Sequence, residues 1–128
     1  MNPTEKNRPG TPWMADALRH GFNALQAGRV NEAAASCKRV LGARQDVPEA
    51  HFLVGLIALD TRDTRTAISA FGSVTKLNPA HGAAWAQLAK LYYVAGHPVL
   101  ADKALVEAVR VKYAGRRSGL LLDLTAAL

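Results

Sequence analysis

The chain has few of the features that membranes, disulfides or secretion require. It holds one cysteine among 128 residues, so no disulfide can form within it, and a lone thiol is typical of a reducing compartment. No apolar run approaches the roughly 20 residues that span a bilayer. The first residues, MNPTEKNRPGTPW, lack the apolar stretch of a secretory signal peptide. We therefore expect a cytoplasmic protein with no membrane segment.

Residue patterns for metal, cofactor or catalysis are also missing. No two of the four histidines have the close spacing of a helical metal site: His20, His51, His81 and His97. No glycine-rich phosphate loop is present. Cys37 has no histidine and acid placed to activate it, and we interpret it as a small buried hydrophobe. We expect no catalytic residues, no metal and no cofactor, and thus not an enzyme.

Positive charge exceeds negative charge, with 16 Lys and Arg against 10 Asp and Glu, a net charge of +6. An excess of this size makes nucleic acid or an acidic partner worth considering. The basic residues are scattered, apart from a cluster between Arg110 and Arg117, and no nucleic-acid-binding motif accompanies them. We interpret most of them as solvated helix faces. Nucleic-acid binding stays an alternative that predicts steep salt dependence of affinity.

A repeat of 34 residues is the strongest positive signal in the chain. Four series of small or apolar residues recur at this interval in three copies: Gly21, Gly55 and Ala89; Ala33, Ala67 and Ala101; Cys37, Phe71 and Leu105; Val40, Val74 and Ala108. A period of 34 is typical of helix–turn–helix arrays. One such unit cannot bury its apolar faces alone, so stacking must supply the core.

Each unit is predicted to form two antiparallel helices, A and B. The A helices are expected at 14–27, 48–60 and 80–95, and the B helices at 30–43, 64–76 and 98–112. The predicted organisation is a flexible segment 1–13, a repeat domain 14–115 with units 14–47, 48–81 and 82–115, and a C-terminal capping or continuing helix 116–128. The fold class is all-α: a right-handed superhelical stack of three helix-turn-helix units plus a C-terminal helix.

Several residues predict where the helices begin and end. A possible cap stands before a proline at Thr11-Pro12, Asn78-Pro79 and His97-Pro98. Gly28 and Gly96 can adopt the left-handed conformation that ends an A helix, whereas Arg62 replaces this glycine in the middle unit. We expect the turn at Arg62 to be less relaxed or differently built.

Small residues are expected where the two helices of a unit cross. Gly55 should face Ala67, because small side chains let two backbones approach closely. The gain in packing would offset the cost of about 1 kcal/mol for glycine within a helix. Larger residues such as Phe71 and Val74 should fill the space between successive units.

These residues resemble the tetratricopeptide repeat family. The third unit carries the closest match to the family signature, with Trp85, Leu88, Ala89, Tyr92, Ala101 and Ala108. The second adds Gly55, Ala67, Phe71 and Pro79, and the first departs at Ala17, His20, Ala24 and Gln45. The resemblance covers residues 14–115 and implies a helical solenoid, but it does not specify a ligand. The sequence of these residues is similar to the N-terminal repeat region of a larger bacterial protein of this family.

The A helices carry one stripe at spacing i, i+4, i+7 that we predict to line the concave surface. Its residues are Leu18, Phe22 and Leu25 in the first unit, Phe52, Leu56 and Leu59 in the second, and Ala86, Lys90 and Tyr93 in the third. The alternative is that several of these residues are ordinary core. We favour a groove for a protein or peptide ligand, because other positions already account for the internal faces. The predicted contacts are Leu18, Phe22, Leu25, Phe52, Leu56, Leu59, Lys90 and Tyr93.

The last segment, RRSGLLLDLTAAL, begins like a fourth A helix and is unusually apolar. It could cap the third unit, dock into a neighbouring chain, or continue into a longer repeat protein. We favour the last of these, with self-association through the leucine-rich helix as the consequence for the isolated chain. The main functional hypothesis is a non-catalytic scaffold or adaptor. The alternative is the recognition arm of a larger enzyme, such as a repeat-linked sulfotransferase or glycosyltransferase, with its catalytic domain beyond residue 128.

Overall fold

The described part of the chain is a stack of paired helices. A computed structural model describes the backbone of residues 12–127 and the side chains of residues 12–114. The secondary structure of these residues consists of six helices joined by short turns and loops: α1 (Pro12–Gln26), α2 (Val30–Ala43), α3 (Pro48–Asp60), α4 (Thr64–Leu77), α5 (Gly82–Val94) and α6 (Pro98–Ala127). The predicted all-α stack is confirmed. Among the described residues, no helix is both long and apolar enough to cross a bilayer.

The turn between the A and B helices has the same construction in all three units. In each, a backbone N–H donates to the carbonyl five residues earlier over 2.7 to 2.8 Å: Arg29 to Ala24, Asp63 to Ala58 and His97 to Tyr92. The residue just before each donor has a positive φ, 81° at Gly28, 59° at Arg62 and 85° at Gly96. This is the Schellman arrangement that satisfies the last carbonyls of a helix. Arg62 therefore forms the same turn as the two glycines, at the steric cost of a Cβ in the left-handed region.

The core consists of two clusters, and each of them joins helices of successive units. The first joins α1, α2 and α3 through Met14, Ala17, Leu18, Cys37, Val40, Ala50 and Leu53. The second joins α3, α4, α5 and α6 through Ala58, Ala67, Phe71, Val74, Ala84, Leu88, Ala89, Leu91 and Ala104. Burial thus depends on stacking between units, as expected for a helical repeat.

The small residue at the helix crossing faces a different partner from the one predicted. A Cβ added at Gly55 would lie 2.6 Å from Cε1 and Cζ of Phe71 and 2.9 Å from its Cδ1. The atoms nearest to Gly55 therefore belong to Phe71 and not to the predicted Ala67. Gly55 makes room for the fully buried ring of Phe71 within its own unit, because Phe71 lies one helical turn after Ala67.

Two helix boundaries also differ from the predictions. Helix α5 begins at Gly82, and the cap is His81, whose Nδ1 accepts the N–H of Ala84 at 3.1 Å. Asn78 and Pro79 lie in the turn before it, where the carbonyl of Pro79 accepts the indole N–H of Trp85 at 2.8 Å. With these two side-chain hydrogen bonds, the helix begins after the proline and not at it.

Helix α6 continues without a break from Pro98 to Ala127 and does not stop at residue 112 as predicted. The segment around the expected turn contains glycine but no proline, and one glycine costs a helix only about 1 kcal/mol. Residues 116–127 therefore extend the third B helix and do not form a separate helix. Their side chains lie outside the described residues, so the leucine-rich face stays a prediction. Of the predicted flexible segment 1–13, residues 1–11 also lie outside the described residues, whereas Pro12 and Trp13 begin α1, so the prediction is wrong for these two residues.

Candidate functional site

The repeated turns place residues that are 34 positions apart at equivalent points of the stack. Because α1, α3 and α5 are each followed by the same hydrogen-bonded turn, their stripes lie on the same side of their units. Three rows result: Leu18, Phe52 and Ala86; Phe22, Leu56 and Lys90; Leu25, Leu59 and Tyr93. We call the surface formed by these rows the A-helix face. In solenoids, such repeated faces provide extended binding surfaces.

One predicted contact residue belongs to the core. Leu18 is only 7% exposed and packs in the first cluster with Met14 and Leu53. It has almost no surface to offer a ligand, so the structure favours the core interpretation for this residue. The reason is that α3 packs beside α1 and covers the row nearest to the helix starts.

The other apolar members of the first two units are half-buried. Phe22 and Leu25 pack against the first cluster, and Phe52, Leu56 and Leu59 pack against the second. Each therefore contributes one side to the core and leaves the other toward solvent. Their substitution would therefore also disturb packing.

Phe52 shows this double role most directly. Its ring lies 5.3 Å from that of Phe71, edge to face at 64°, and 4.8 Å from the imidazole of His81. Aromatic pairs at this distance contribute about 0.5–1.5 kcal/mol beyond their buried area. Phe52 thus joins the second and third units, and its substitution would not report on ligand binding alone.

The third unit changes the character of the A-helix face. Lys90 is exposed, and Tyr93 is 74% exposed. No further A helix packs beside α5 within residues 12–114, which is why these two side chains are freer than their counterparts Leu56 and Leu59. A large exposed aromatic residue beside a cation can contact both apolar and acidic groups of a polypeptide.

The histidines and the cysteine make structural contacts. His20 lies 3.6 Å from a carboxylate oxygen of Glu32, and Nε2 of His51 is 2.7 Å from the carbonyl oxygen of Gln45. Among the described residues, no group of His, Cys, Asp and Glu could hold a metal ion. Burial raises the pKa of the Cys37 thiol to about 11, so it is neutral at pH 7 and a poor nucleophile.

Two grooves on the B-helix side were missed by the sequence analysis. One, of about 500 Å³, lies between α2, α3 and α4 and is lined by residues that include Leu41, Val54 and Ile57. The other, of about 800 Å³, lies between α4, α5 and α6 and includes Leu88 and Leu100. Val54 and Leu88 are 34 residues apart, so the grooves are equivalent. The 34-residue repeat could have predicted that the two grooves are equivalent, but their depth depends on the distance between neighbouring B helices.

Comparison with known proteins shows the fold and no closer relationship. No protein-family model matches the chain, and no curated protein matches it. Among solved structures, the chain is similar to a mutant O-GlcNAc transferase from Thermobaculum terrenum, with a TM-score of 0.70 and 22% identity. The similarity covers 77% of this chain, which spans only 19% of the transferase chain. It supports a helical repeat fold and says nothing about activity here.

Proposed function

We propose that this protein is a non-catalytic interaction module of the tetratricopeptide repeat type, which holds a segment of another polypeptide on its A-helix face. One observation carries the proposal. Half-buried apolar residues run across the first two units and lead to the exposed pair Lys90 and Tyr93 in the third. An extended apolar surface with a polar end is suited to an apolar peptide that carries an acidic or hydrogen-bonding group at one end. The unpaired, buried Cys37 is compatible with action in the cytoplasm.

The geometry also decides which residues can test the proposal. Phe52 contacts Phe71 and His81, so its loss would confuse unfolding with loss of binding. Tyr93 is 74% exposed and can be truncated with little effect on packing. Phe22, at the other end of the face, also packs on the first cluster, so its variant tests whether a ligand extends across all three units only if it is as stable as the unmodified chain. Tyr113 on α6, which is 61% exposed, provides a matched control with the same side chain.

The experiment is a selection from a random-peptide phage library on the full chain, followed by measurement of Kd for the enriched peptides. Tyr93→Ala and Phe22→Ala should each weaken binding by about tenfold, or about 1.4 kcal/mol, which is more than most interface residues contribute. Tyr113→Ala should leave Kd unchanged. Circular dichroism must show all variants folded. Enrichment of no peptide, or equal loss with Tyr113→Ala, would contradict the proposed site.

A second candidate function is the recognition arm of a larger enzyme. The specific observation in its favour is the structural similarity to an O-GlcNAc transferase, of which this chain matches only a part. In that case the A-helix face would present a polypeptide to a catalytic domain elsewhere. An immunoblot of cells that naturally express the protein, with an antibody against this chain, would test the idea by the mass of the polypeptide that it detects. A polypeptide much larger than 13.7 kDa, with transferase activity after purification, would support it, and a band at that mass would count against it.

A further inference from the structure

The third unit ends on an apolar surface of α6 that no other described helix covers. Leu105 is 53% exposed and Val109 is 45% exposed, and Ala108 lies half-buried between them. The counterparts of Leu105 in the 34-residue series, Cys37 and Phe71, are both buried. The difference arises because Phe71 is covered by the next A helix, whereas no described helix follows α6. We call the surface of Leu105, Ala108 and Val109 the end face.

The same surface is filled one unit earlier. The residues of α4 that correspond to the end face, Phe71, Val74 and Thr75, are 0%, 0% and 7% exposed. Phe71 and Val74 share a cluster with Ala84 and Leu88 of α5. The occupant of this kind of surface is therefore a largely apolar helix with a small residue near its start and a large apolar residue one turn later. We infer that the end face binds such a helix from another polypeptide, with acidic residues at its flanks.

The lysines near the end face are the reason for expecting acidic residues at the flanks of the bound helix. Lys112 follows Leu105 by seven residues and Ala108 by four, so it lies at the edge of the same side of α6. Lys90 of α5 is also exposed, on the neighbouring helix. One unit earlier the corresponding positions are Asn78 and Leu56. Asp102, which precedes Leu105 by three residues and Val109 by seven, is an exposed acidic residue at the N-terminal end of the face. The two lysines are thus particular to this end of the stack and favour carboxylates on the part of the bound helix that lies beside them.

A second copy of the chain fits the end face poorly. In a head-to-tail arrangement, α1 of the second copy would have to take the place that α3 and α5 take within the chain. Its corresponding residues, Asp16, Arg19 and His20, are polar and exposed, and Arg19 already pairs with Asp16 at 3.1 Å. Pairing α6 with α6 would bring Lys112 toward a second positive edge in a protein of net charge +6. Both arrangements lack the complementarity of the internal interfaces.

The experiment uses a peptide that already covers the equivalent surface. A labelled synthetic peptide of residues 79–95, which contain α5, is titrated with the full chain by fluorescence anisotropy. A second peptide with Lys90→Glu carries an acidic flank. We expect both to bind saturably and the acidic peptide to bind several-fold more tightly at low salt, with a smaller difference at high salt. The double variant Leu105→Glu/Val109→Glu of the chain should bind at least tenfold more weakly.

The control variant is Val99→Glu, which changes a valine of the same helix that is 65% exposed and lies off the end face. It should bind the peptides like the unmodified chain, and so should Phe22→Ala, which tests the A-helix face. Loss of binding in Phe22→Ala but not in the double variant would place the peptide on the A-helix face and overturn the inference.

Further outcomes would also overturn it. These are no saturable binding at millimolar peptide, equal loss in Val99→Glu, or a dimer in sedimentation that Leu105→Glu makes monomeric, since a second copy would then occupy the face. If the double variant is unfolded by circular dichroism, Leu105→Glu alone replaces it, because this side chain is more than half exposed.

Discussion

Replacing Gly55 by alanine tests the packing of the middle unit at its tightest point. The new Cβ would lie 2.6 Å from two ring carbons of Phe71, which is closer than carbon atoms approach without a shift. The ring has little room to move, because Phe71 is fully buried and its ring is held against that of Phe52 at 5.3 Å. We therefore expect the substitution to force the helices of the unit apart.

The expected loss follows from two opposing effects. Overpacking a well-packed core costs about 1–3 kcal/mol, and the tight contacts with Phe71 favour the upper part of this range. Removal of glycine from the interior of a helix returns about 1 kcal/mol. The free energy of unfolding should therefore fall by about 1–2 kcal/mol. Gly72→Ala in α4 is the matched control, because its Cβ meets nothing within 4 Å and only the gain in helix propensity remains.

The chain itself suggests a compensating substitution. In the third unit the residues that correspond to Gly55 and Phe71 are Ala89 and Leu105, so a residue larger than glycine is combined with one smaller than phenylalanine. The double variant Gly55→Ala/Phe71→Leu should therefore be more stable than the two single effects predict, by at least about 1 kcal/mol. Urea denaturation followed by circular dichroism measures the unmodified chain, the two single variants, the double variant and Gly72→Ala. If Gly55→Ala is as stable as Gly72→Ala, or the two changes are additive, the reasoning is refuted.

Three further predictions concern the turn, a helix cap and the thiol. Arg62→Gly should raise the free energy of unfolding by about 1 kcal/mol, because φ is 59° there, whereas Gly96→Arg should lower it; thermal denaturation checks both. The hydrogen bonds from Thr66 hold the pKa of Asp63 below its ordinary value of 3.8, so the stabilisation from this cap is present above pH 3.8 and is lost as pH falls through the lowered pKa. Asp63→Asn should remove this part of the acid dependence, as measured by denaturation at several pH values. Burial raises the pKa of Cys37 from 9.0 to about 11, so the buried neutral thiol contributes fully to the free energy of unfolding below pH 9.0, and this contribution declines as pH rises toward 11. Cys37→Ala should flatten this decline when urea denaturation is repeated at several pH values. An equal slope in both proteins would contradict the prediction.

The repeat, its helix pairs and its turns could be predicted from the sequence. Small residues 34 positions apart require close helix packing at regular intervals, and glycine or a residue forced into its conformation ends each A helix. These features depend on local backbone preferences and on a residue pattern that is visible in the linear sequence. The same pattern located the A-helix face, because equivalent residues of a repeat occupy equivalent places.

The burial of individual residues was decided by the tertiary structure. Leu18 and Phe22 belong to the same stripe, yet only Leu18 is enclosed, because α3 packs over its end of α1. Leu105 and Phe71 belong to the same series, yet only Phe71 is covered, because an A helix follows its unit. The atoms nearest to Gly55 likewise belong to Phe71 and not to Ala67, which depends on how α3 and α4 pack together. Periodicity determines which residues are equivalent, whereas exposure depends on which neighbouring helices surround each of them.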